Sequence, residues 1–557
     1  MRYERWRRWP CAGYDKIPSA AWGRILLEVY DYVIVGAGSA GCVLANRLSA
    51  NPRHKVLLLE AGGADRNPWI HIPVGYIKTM AMPGVNWLFD TEPEPYTYDR
   101  PIPVPRGRVL GGSSSINAMV YVRGQAEDFD VWAQLGNRGW SHDDVLPYFK
   151  KAEHRETGAD DFRGTGGPLN VANMGETAPL LDAVVDAGEQ TGHPRNPDYN
   201  GASQEGFGYF QVTQKNGRRY SAARGYLHPV RSRANLYVLT HAHATEILFD
   251  GKKAVGVAYR RHSSYSTAHA GRAVILSAGS VQSPQLLELS GIGDPAVLKA
   301  HGIPIRHVLR GIGENHQDHY IARLVWRVHG AASLNQRMRG LSLAAETLKF
   351  ALVRRGVLTF TAGIIVGFVK TRPEIATPDV QYHIAHASFA DPKKRVLDRW
   401  PGLTFGPSQL RPESRGSIHI KSPDPFVHPA IRPNFLATET DRQTLIGGMR
   451  IARTITAAPA LSRYVEAEHL PGADCESDDE LLDYARRTGA TLYHPVGTCK
   501  MGNDPMAVVD DQLRVHGLAN LRVIDASIMP RLTSGNTNAP TIMIAEKGAD
   551  HLLRDER

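Results

Sequence analysis

The hydrophobic pattern is clearest between residues 31 and 62, where two apolar runs flank a stretch with helical spacing. The runs at 32–35 and 56–59 are continuous and short, which is typical of buried strands. Between them, Leu44, Ala45 and Leu48 follow the spacing of one helix face. The pattern predicts a strand, a helix and a second strand, which together form one βαβ unit.

Glycines occupy the turn between the first run and the helix. Gly36, Gly38 and Gly41 complete the pattern G-x-G-x-x-G, which permits a tight turn and lets backbone N–H groups approach a pyrophosphate at the positive end of the helix. Glu60 ends the second run, at a position where a carboxylate accepts hydrogen bonds from a ribose 2′-OH. The unit therefore predicts a dinucleotide site without a 2′-phosphate, and it leaves NAD and FAD both open.

Beyond this unit the pattern changes more than once. Residues 63–108 show little periodicity and are predicted to form a long functional loop. Further strands are predicted at 236–239, 245–248, 273–277 and 521–524. Helices are predicted across 126–154 and up to Leu289, the latter capped by Ser283 with Pro284 as its first residue.

A second domain is predicted from about residue 321, where amphipathic helical stretches, alternating strands such as SIHI and many aromatic residues begin. We therefore divide the chain into four parts: an extension (1–30), a nucleotide-binding domain with insertions (31–320), a second domain (321–489) and a return to the first domain (490–557).

Length and composition predict a globular protein of two or more domains or of one large composite domain. Its 557 residues exceed what one simple core accommodates, and 42% are hydrophobic and 22% charged. The net charge of +9 is scattered. Only residues 5–8 form a basic cluster, which we interpret as a solvated tail, so no nucleic-acid partner is expected.

Targeting signals and metal sites are not evident in the sequence. No run of about 18 apolar residues predicts a membrane span, which leaves a peripheral membrane contact open. Residues 1–30 lack the apolar core of an export signal. The four cysteines show no metal-binding spacing, so we expect no bound metal and a reducing, cytoplasmic location.

Two later segments resemble a known family. GRVLGGSSSINAMVYVRGQAEDFD at 107–130 and GSVQSPQLLELSGIG at 279–293 resemble the two signatures of the glucose–methanol–choline (GMC) oxidoreductases. The resemblance continues through GIGENHQDH, YHPVGT, DAS and NTNAPT, and it covers nearly the whole chain. It selects FAD over NAD, and the most similar subgroup includes choline dehydrogenases and FAD-dependent alcohol dehydrogenases.

The resemblance implies an α/β fold, α+β overall. In it, a Rossmann-like FAD-binding domain is joined to a discontinuous substrate domain built on an antiparallel sheet with helices. The paired glycines at 111–112 leave room for a planar ring against the backbone, and the side chains that follow supply donors, namely Ser113, Ser114 and Asn117. The cofactor-binding residues implied are Gly36, Gly38, Ser39, Gly41, Glu60, Gly111, Gly112, Ser113, Asn117, Ala244, Asp525, Ala526 and Asn538.

Noncovalent attachment of FAD is also expected from the resemblance. Relatives with covalent FAD carry a histidine at the position that Ile116 occupies here. An isoleucine side chain cannot form that bond.

A catalytic pair is implied near the end of the chain. His494 in YHPVGT matches the family's general base, and imidazole titrates in the range suited to proton transfer. Asn536 matches its partner, whose amide N–H can stabilise an alkoxide. Asn538 is a second candidate that we assign to the flavin loop, and Tyr493 is a candidate wall of the substrate site.

The expected reaction is oxidation of a primary alcohol to the aldehyde by proton abstraction and hydride transfer to flavin N5, with a quinone, a dye or O2 as acceptor. An oxidase for aromatic, furan or pyridoxine-type alcohols that makes H2O2 is an alternative, and a flavin-containing lyase is an alternative of another class. The particular alcohol and the oligomeric state stay open.

A preference for choline is not carried over, because a quaternary ammonium requires an aromatic cage and often a carboxylate. The other candidate cage residues are more simply explained as core: Trp326, Phe350, Phe360, Phe368, Tyr382 and Phe389.

Overall fold

The first of two large β-sheets contains the βαβ unit. The computed structural model describes residues 29–391 and 396–555, so most of the N-terminal extension, with the basic cluster at 5–8, lies outside the described residues. The central strand Val29–Val35 pairs in parallel with Val56–Leu59 and Ser264–Leu276. In order, the strands of this mixed sheet are Leu236–Leu239, Val56–Leu59, Val29–Val35, Ser264–Leu276, Lys253–Arg261 and Ala242–Asp250, with Leu521–Val523 also paired to Ser264–Leu276.

The second large sheet is antiparallel and draws its strands from distant parts of the chain. In order, they are Val465–Leu470, Leu324–Val328, Gly402–Gln409, Val380–Ala385, Ile365–Val369 and Gly206–Tyr209, extended by Tyr320–Ile321 and Ala490–Thr491. Because Gly206–Tyr209 precedes the mixed sheet's later strands, the region built on this sheet is discontinuous in sequence, as the resemblance implied.

Helices cover both sheets. The first helix, Ser39–Leu48, packs against Asn538–Arg554, and both bury apolar side chains in the core of the mixed sheet. The remaining longer helices are Ala126–Gln134, His142–Ala152, Pro179–Gln190, Gly279–Leu289, Pro295–Ala300, Gly340–Val353, Glu439–Ala457 and Asp478–Thr488. Within the described ranges, no helix is long and apolar enough to cross a membrane.

The helix that ends at Leu289 begins at Gly279, so its predicted start at Ser283-Pro284 is wrong. Pro284 has no N–H, which leaves the carbonyl of Ser280 without its helical partner. The Thr498 hydroxyl donates to that oxygen at 2.7 Å. A contact from a distant segment thus permits the proline inside the helix, and sequence spacing alone does not reveal it.

Two regions contain more regular structure than predicted. Residues 63–108 form short helices, Pro68–His71 and Tyr76–Thr79, and a small hairpin. The helix Pro179–Gln190 lies in a stretch that looked irregular because it is rich in Gly, Asn and Pro. Its proline is at the first turn, where a missing N–H costs nothing, so it marks a helix start.

Candidate active site

One cavity of about 900 Å³ is lined by residues from both sheets. It brings together all the predicted site residues except two. Those that line it are Gly36, Gly38, Ser39, Glu60, Gly112, Ser113, Asn117, Ala244, Tyr493, His494, Asp525, Ala526, Asn536 and Asn538. Gly41 and Gly111 lie behind the cavity wall.

The three glycines of the first motif have different roles. Gly36 has φ +95°, and a Cβ there would lie 2.5 Å from the Ser277 carbonyl oxygen. A Cβ on Gly41 would lie 1.9 Å from the Gly36 carbonyl oxygen, so Gly41 serves helix packing and not the ligand. At Gly38, the nearest atom to such a Cβ is 4.0 Å away. Gly38 therefore leaves open space toward the cavity for a ligand to approach the backbone.

Three helices begin at this end of the cavity: Ser39–Leu48, Gly279–Leu289 and Asn538–Arg554. The Asn538 amide donates to the Ser39 hydroxyl at 2.7 Å, which joins two of the helix starts. Unpaired N–H groups and the helix dipoles make such ends favourable for a phosphate. The donor set fits the diphosphate of a dinucleotide.

Glu60 is buried beside the glycine turn. Its carboxylate accepts N–H bonds from Ala37 at 2.9 Å and from Gly62 at 2.7 Å. Burial raises its pKa to about 7, and the two backbone bonds oppose that shift. Glu60 thus fixes the turn, and it also lines the cavity where a ribose would be recognised.

The segment after Gly107 differs in part from expectation. A Cβ on Gly111 would meet the Ser115 hydroxyl, so this glycine faces protein and not a ring. The Ser114 hydroxyl donates to the Gly111 carbonyl at 2.6 Å and accepts from Ala222 N–H, so it is not a donor to the cavity. Ser113, Asn117 and Ile116 do line the cavity.

Asp525 holds the start of a helix. Its carboxylate accepts from Gly279 N–H at 2.9 Å and from the Ser283 hydroxyl at 2.6 Å. It also accepts from the N–H and hydroxyl of Ser527. Four protein donors occupy its oxygens, so its direct effect is to orient the helix Gly279–Leu289 toward the cavity.

At the other end, His494 and Asn536 are in contact. The Asn536 amide nitrogen lies 3.0 Å from His494 Nε2. On the other side of the ring, His494 Nδ1 lies 2.9 Å from His319 Nδ1, and His319 Nε2 lies 2.9 Å from the Leu410 carbonyl oxygen.

These contacts fix the direction of each hydrogen bond. A carbonyl oxygen only accepts, so His319 Nε2 carries the hydrogen and a neutral His319 accepts at Nδ1. His494 Nδ1 must then donate. The lone pair of His494 is consequently at Nε2, where it faces the Asn536 amide.

The backbone before His494 is held in an uncommon conformation. Tyr493 has φ 68°, which is rare for a residue with a Cβ. Its N–H donates to the Thr491 hydroxyl at 2.7 Å, and Arg106 donates to its carbonyl at 2.6 Å. Asp318 accepts the His494 N–H at 2.8 Å and the Thr491 hydroxyl at 2.5 Å. The network orients the imidazole toward Asn536.

Asn536 is oriented from the antiparallel sheet. Gln381 donates to its side-chain oxygen at 3.1 Å, which leaves the Asn536 amide nitrogen directed at His494. His383, on the same strand, lines the cavity. Among the described residues its buried Nε2 has no hydrogen-bond partner.

Burial controls the protonation of these groups. The pKa of His494 is well below its usual value, mainly because of desolvation and further because of His319, His383 and Arg106. Desolvation also lowers the pKa of His319 to about 4 and raises that of Asp318 to about 6. His494 is therefore neutral at neutral pH and able to accept a proton.

Four residues of this network carried no predicted role: His319, Asp318, Gln381 and His383. The first two lie in the GIGENHQDH motif, so their position was signalled although their function was not. The other two lie on the strand Val380–Ala385, whose sequence carries no motif.

Of the candidate cage residues, Phe360 and Phe389 line the cavity. The other four are buried elsewhere in the core: Trp326, Phe350, Phe368 and Tyr382.

Comparison with known proteins agrees with this geometry. GMC oxidoreductase family models match residues 30–321 and 412–545. The chain is 45% identical to an alcohol dehydrogenase [acceptor] of Pseudomonas putida, with 94% of this chain and 96% of that protein covered. It is 43% identical to an oxygen-dependent choline dehydrogenase of Photobacterium profundum, with 94% and 93% covered.

Solved structures give the same result. Pyridoxine 4-oxidase from Mesorbium loti superposes with a TM-score of 0.85 at 32% identity, covering 94% of this chain and 98% of that one. A formate oxidase of Aspergillus oryzae RIB40, studied for FAD modification, superposes with a TM-score of 0.88 at 26% identity, covering 95% and 98%. The chain belongs to the GMC oxidoreductase family. It is an FAD-dependent oxidoreductase that acts on the CH–OH group of donors.

Proposed function

We propose that this chain oxidises an uncharged primary alcohol to its aldehyde at the end of the cavity where His494 and Asn536 meet. The observation that carries the proposal is the 3.0 Å contact between the Asn536 amide nitrogen and His494 Nε2, inside a cavity that also reaches the glycine turn. A base and an N–H donor thus lie side by side in the cavity that contains the proposed dinucleotide site.

In this proposal His494 accepts the hydroxyl proton at Nε2. The hydrogen-bond chain from Leu410 through His319 keeps the other ring nitrogen protonated, so the base needs no rearrangement before reaction. The depressed pKa of His494 keeps this nitrogen free of a proton at neutral pH. When the proton arrives, His319 Nδ1 accepts the bond from His494 Nδ1–H and stabilises the imidazolium.

Asn536 holds the substrate oxygen. Its amide N–H, aimed by Gln381, donates to the oxygen as negative charge develops. An amide does not compete for the proton, so the roles of the two residues stay separate. Asn538 is assigned to the cofactor, since its side-chain amide donates a hydrogen bond to the Ser39 hydroxyl at a helix start.

FAD is assigned to the end with the glycine turn. Gly38, Ser39 and Asn538 would hold its diphosphate, and Glu60 its ribose. Bound FAD would accept the hydride from the alcohol carbon. Ile116 lines the cavity and offers no atom for a covalent link, which supports noncovalent binding. We assign re-oxidation to a quinone, a dye or O2, to be distinguished by mixing reduced enzyme with each.

The charge of the cavity wall supports an uncharged substrate. Three arginines line the part of the cavity shared with Tyr493 and His494, namely Arg100, Arg106 and Arg323. Within the described ranges, the carboxylates that line the cavity are those of Glu60, Asp90 and Asp525. Glu60 and Asp525 lie at the cofactor end. Asp90 follows Phe89, whose ring packs against Trp87 and His428. Asp318 beside His494 offsets Arg106 in part, and we expect the arginine side chains of this wall to disfavour a cationic alcohol. The proposal therefore carries over no preference for choline from the choline dehydrogenases that the chain resembles.

A matched pair of alcohols tests the proposal. Choline and its neutral isostere, in which a quaternary carbon replaces the nitrogen, have the same shape and differ in charge. At an effective dielectric of about 20, one positive charge about 8 Å away costs about 2 kcal/mol. We expect the efficiency of anaerobic flavin reduction to be at least about tenfold higher with the isostere than with choline, and Arg323→Gln to bring the two efficiencies closer together.

Equal or faster reduction by choline contradicts the substrate assignment. Absence of flavin reduction by any member of a broad alcohol panel contradicts alcohol oxidation itself and favours a lyase.

A further inference from the structure

The helix Gly340–Val353 leaves three of its four leucines exposed. Within its 14 residues only Glu346 and Phe350 are buried. By contrast, Leu341 is 91% exposed, Leu348 59% and Leu352 74%. A surface helix of a soluble protein normally turns its apolar stripe to the core and its charges to water. This helix instead leaves an apolar stripe in water and buries Phe350 together with Glu346.

The exposed apolar residues form one continuous stripe. Leu341, Ala345, Leu348 and Leu352 recur at intervals of three and four residues and are all exposed, so they lie on one side of the helix. On the opposite side, Glu346 is paired with Arg337 and accepts the Val357 N–H at 3.1 Å. Since this ion pair fixes the orientation, the stripe cannot turn inward to escape water.

Cations lie at both ends of the stripe. Arg339 precedes the helix and donates to the Leu397 carbonyl at 2.6 Å, and Arg354 and exposed Arg355 follow it. An apolar stripe with basic residues at its ends is the pattern of a helix that lies in a membrane interface, where arginines meet anionic headgroups. The net charge of +9 acts in the same direction.

The helix is also adjacent to the cavity. Leu334 and Met338, just before it, line the cavity, and so does Phe360, just after it. Leu397, which Arg339 contacts, lines the cavity as well. The apolar stripe is therefore on the surface close to the cavity.

We propose that Gly340–Val353 docks on an anionic lipid bilayer, with Leu341, Leu348 and Leu352 inserted at the boundary between headgroups and acyl chains. A 14-residue helix lies in this interface and does not span the bilayer, which takes about 20 residues. Docking places the cavity at the lipid surface, where apolar alcohols and quinones partition. A second copy of the chain fits less well, because antiparallel pairing of two such helices would bring Arg339 of one beside Arg355 of the other.

Vesicle flotation of the flavin-loaded full chain tests this, with flavin absorbance as the readout, so no alcohol turnover is needed. The probes are phosphatidylcholine vesicles with and without phosphatidylglycerol. We expect the triple variant Leu341→Gln/Leu348→Gln/Leu352→Gln to lose binding at least tenfold. A matched triple variant at exposed apolar sites elsewhere, Leu135→Gln/Ile305→Gln/Val308→Gln, should bind like the parent. Arg355→Gln should weaken binding to anionic vesicles about fivefold.

Two results overturn the proposal. One is equal vesicle binding by the parent and the Leu341/Leu348/Leu352 variant, which would assign any membrane contact to another part of the chain. The other is a parent that does not bind vesicles and sediments as a dimer, while the same variant sediments as a monomer. That result would assign the stripe to a second copy of this chain.

Discussion

The two ends of the cavity are built in different ways. The cofactor end is formed by a glycine turn and by the starts of three helices, and neighbouring backbone excludes a side chain at Gly36 and Gly41, with 1.9 Å for a Cβ on Gly41. The alcohol end is formed by side chains from distant segments, including His319, His494 and Asn536. The first end depends on backbone shape and the second on the chemistry and orientation of a few groups, so substitutions should affect them differently.

The largest effect is expected for His494→Ala. Loss of a positioned base should lower the rate of flavin reduction about 10²–10⁴-fold, while FAD retention stays at the parent level. Anaerobic stopped-flow mixing with a good alcohol, after equal flavin occupancy is confirmed, measures the rate. His386→Leu, buried outside the cavity wall, is the control. A rate near that of the parent would remove His494 from the mechanism.

Asn536→Ala should lower the same rate about 10²–10³-fold, as for loss of an oxyanion donor. Asn538→Ala should instead weaken FAD retention, because the Asn538 amide is hydrogen-bonded to Ser39 at the start of the first helix. The two variants therefore separate the two ends of the cavity. A larger loss of rate in Asn538→Ala, at matched flavin occupancy, would reverse the assignment.

His319→Phe tests a positioning residue. Removing the acceptor of the His494 Nδ1–H bond should lower kcat about 10–100-fold, the range seen when a partner that orients a histidine is lost. His319→Gln can accept from His494 and donate to Leu410, so it should recover most of the rate. Equal impairment in both variants would indicate a packing role.

Glu60→Ala sharpens the comparison at the cofactor end. It should weaken FAD retention between a few-fold and about a hundredfold, since one or two charge-assisted hydrogen bonds are lost, each worth about 1.5–3 kcal/mol before solvent compensation. Glu94→Ala is a matched control, because Glu94 also has a pKa of about 7 but lies outside the cavity wall. Unchanged FAD affinity in Glu60→Ala would exclude Glu60 from the ribose site.

The smallest effect concerns acid stability. Burial lowers the pKa of His386 from 6.5 to about 4 in the folded state. Between these two pH values the unfolded chain binds a proton at His386 and the folded protein does not. The free energy of unfolding therefore falls as pH falls from 6.5 toward 4. Between pH 8 and pH 5.5 the loss is about 1 kcal/mol. His386→Leu should therefore show a smaller fall in Tm between these pH values than the parent. An unchanged fall would contradict the linkage.

Prediction from the sequence succeeds where structure is local. The strands at 56–59 and 236–239 have the predicted bounds, and the fold class and FAD follow from contiguous motifs. The start of the helix at Gly279 was missed because Thr498, far along the chain, compensates for Pro284. His383 and Gln381 were missed for the same reason: their importance arises only when the antiparallel sheet places them beside His494 and Asn536.

The position of Leu521–Val523 in the mixed sheet has a consequence for biosynthesis. This strand pairs with Ser264–Leu276 and is buried, yet it is translated some 250 residues later than its partner, at about 5–20 residues per second. During translation, the edge of Ser264–Leu276 that later pairs with Leu521–Val523 therefore stays unpaired for tens of seconds. An unpaired strand edge can pair with another chain and so promotes aggregation. If Asn538 holds FAD as proposed, capture of FAD is completed only after nearly the whole chain has been translated.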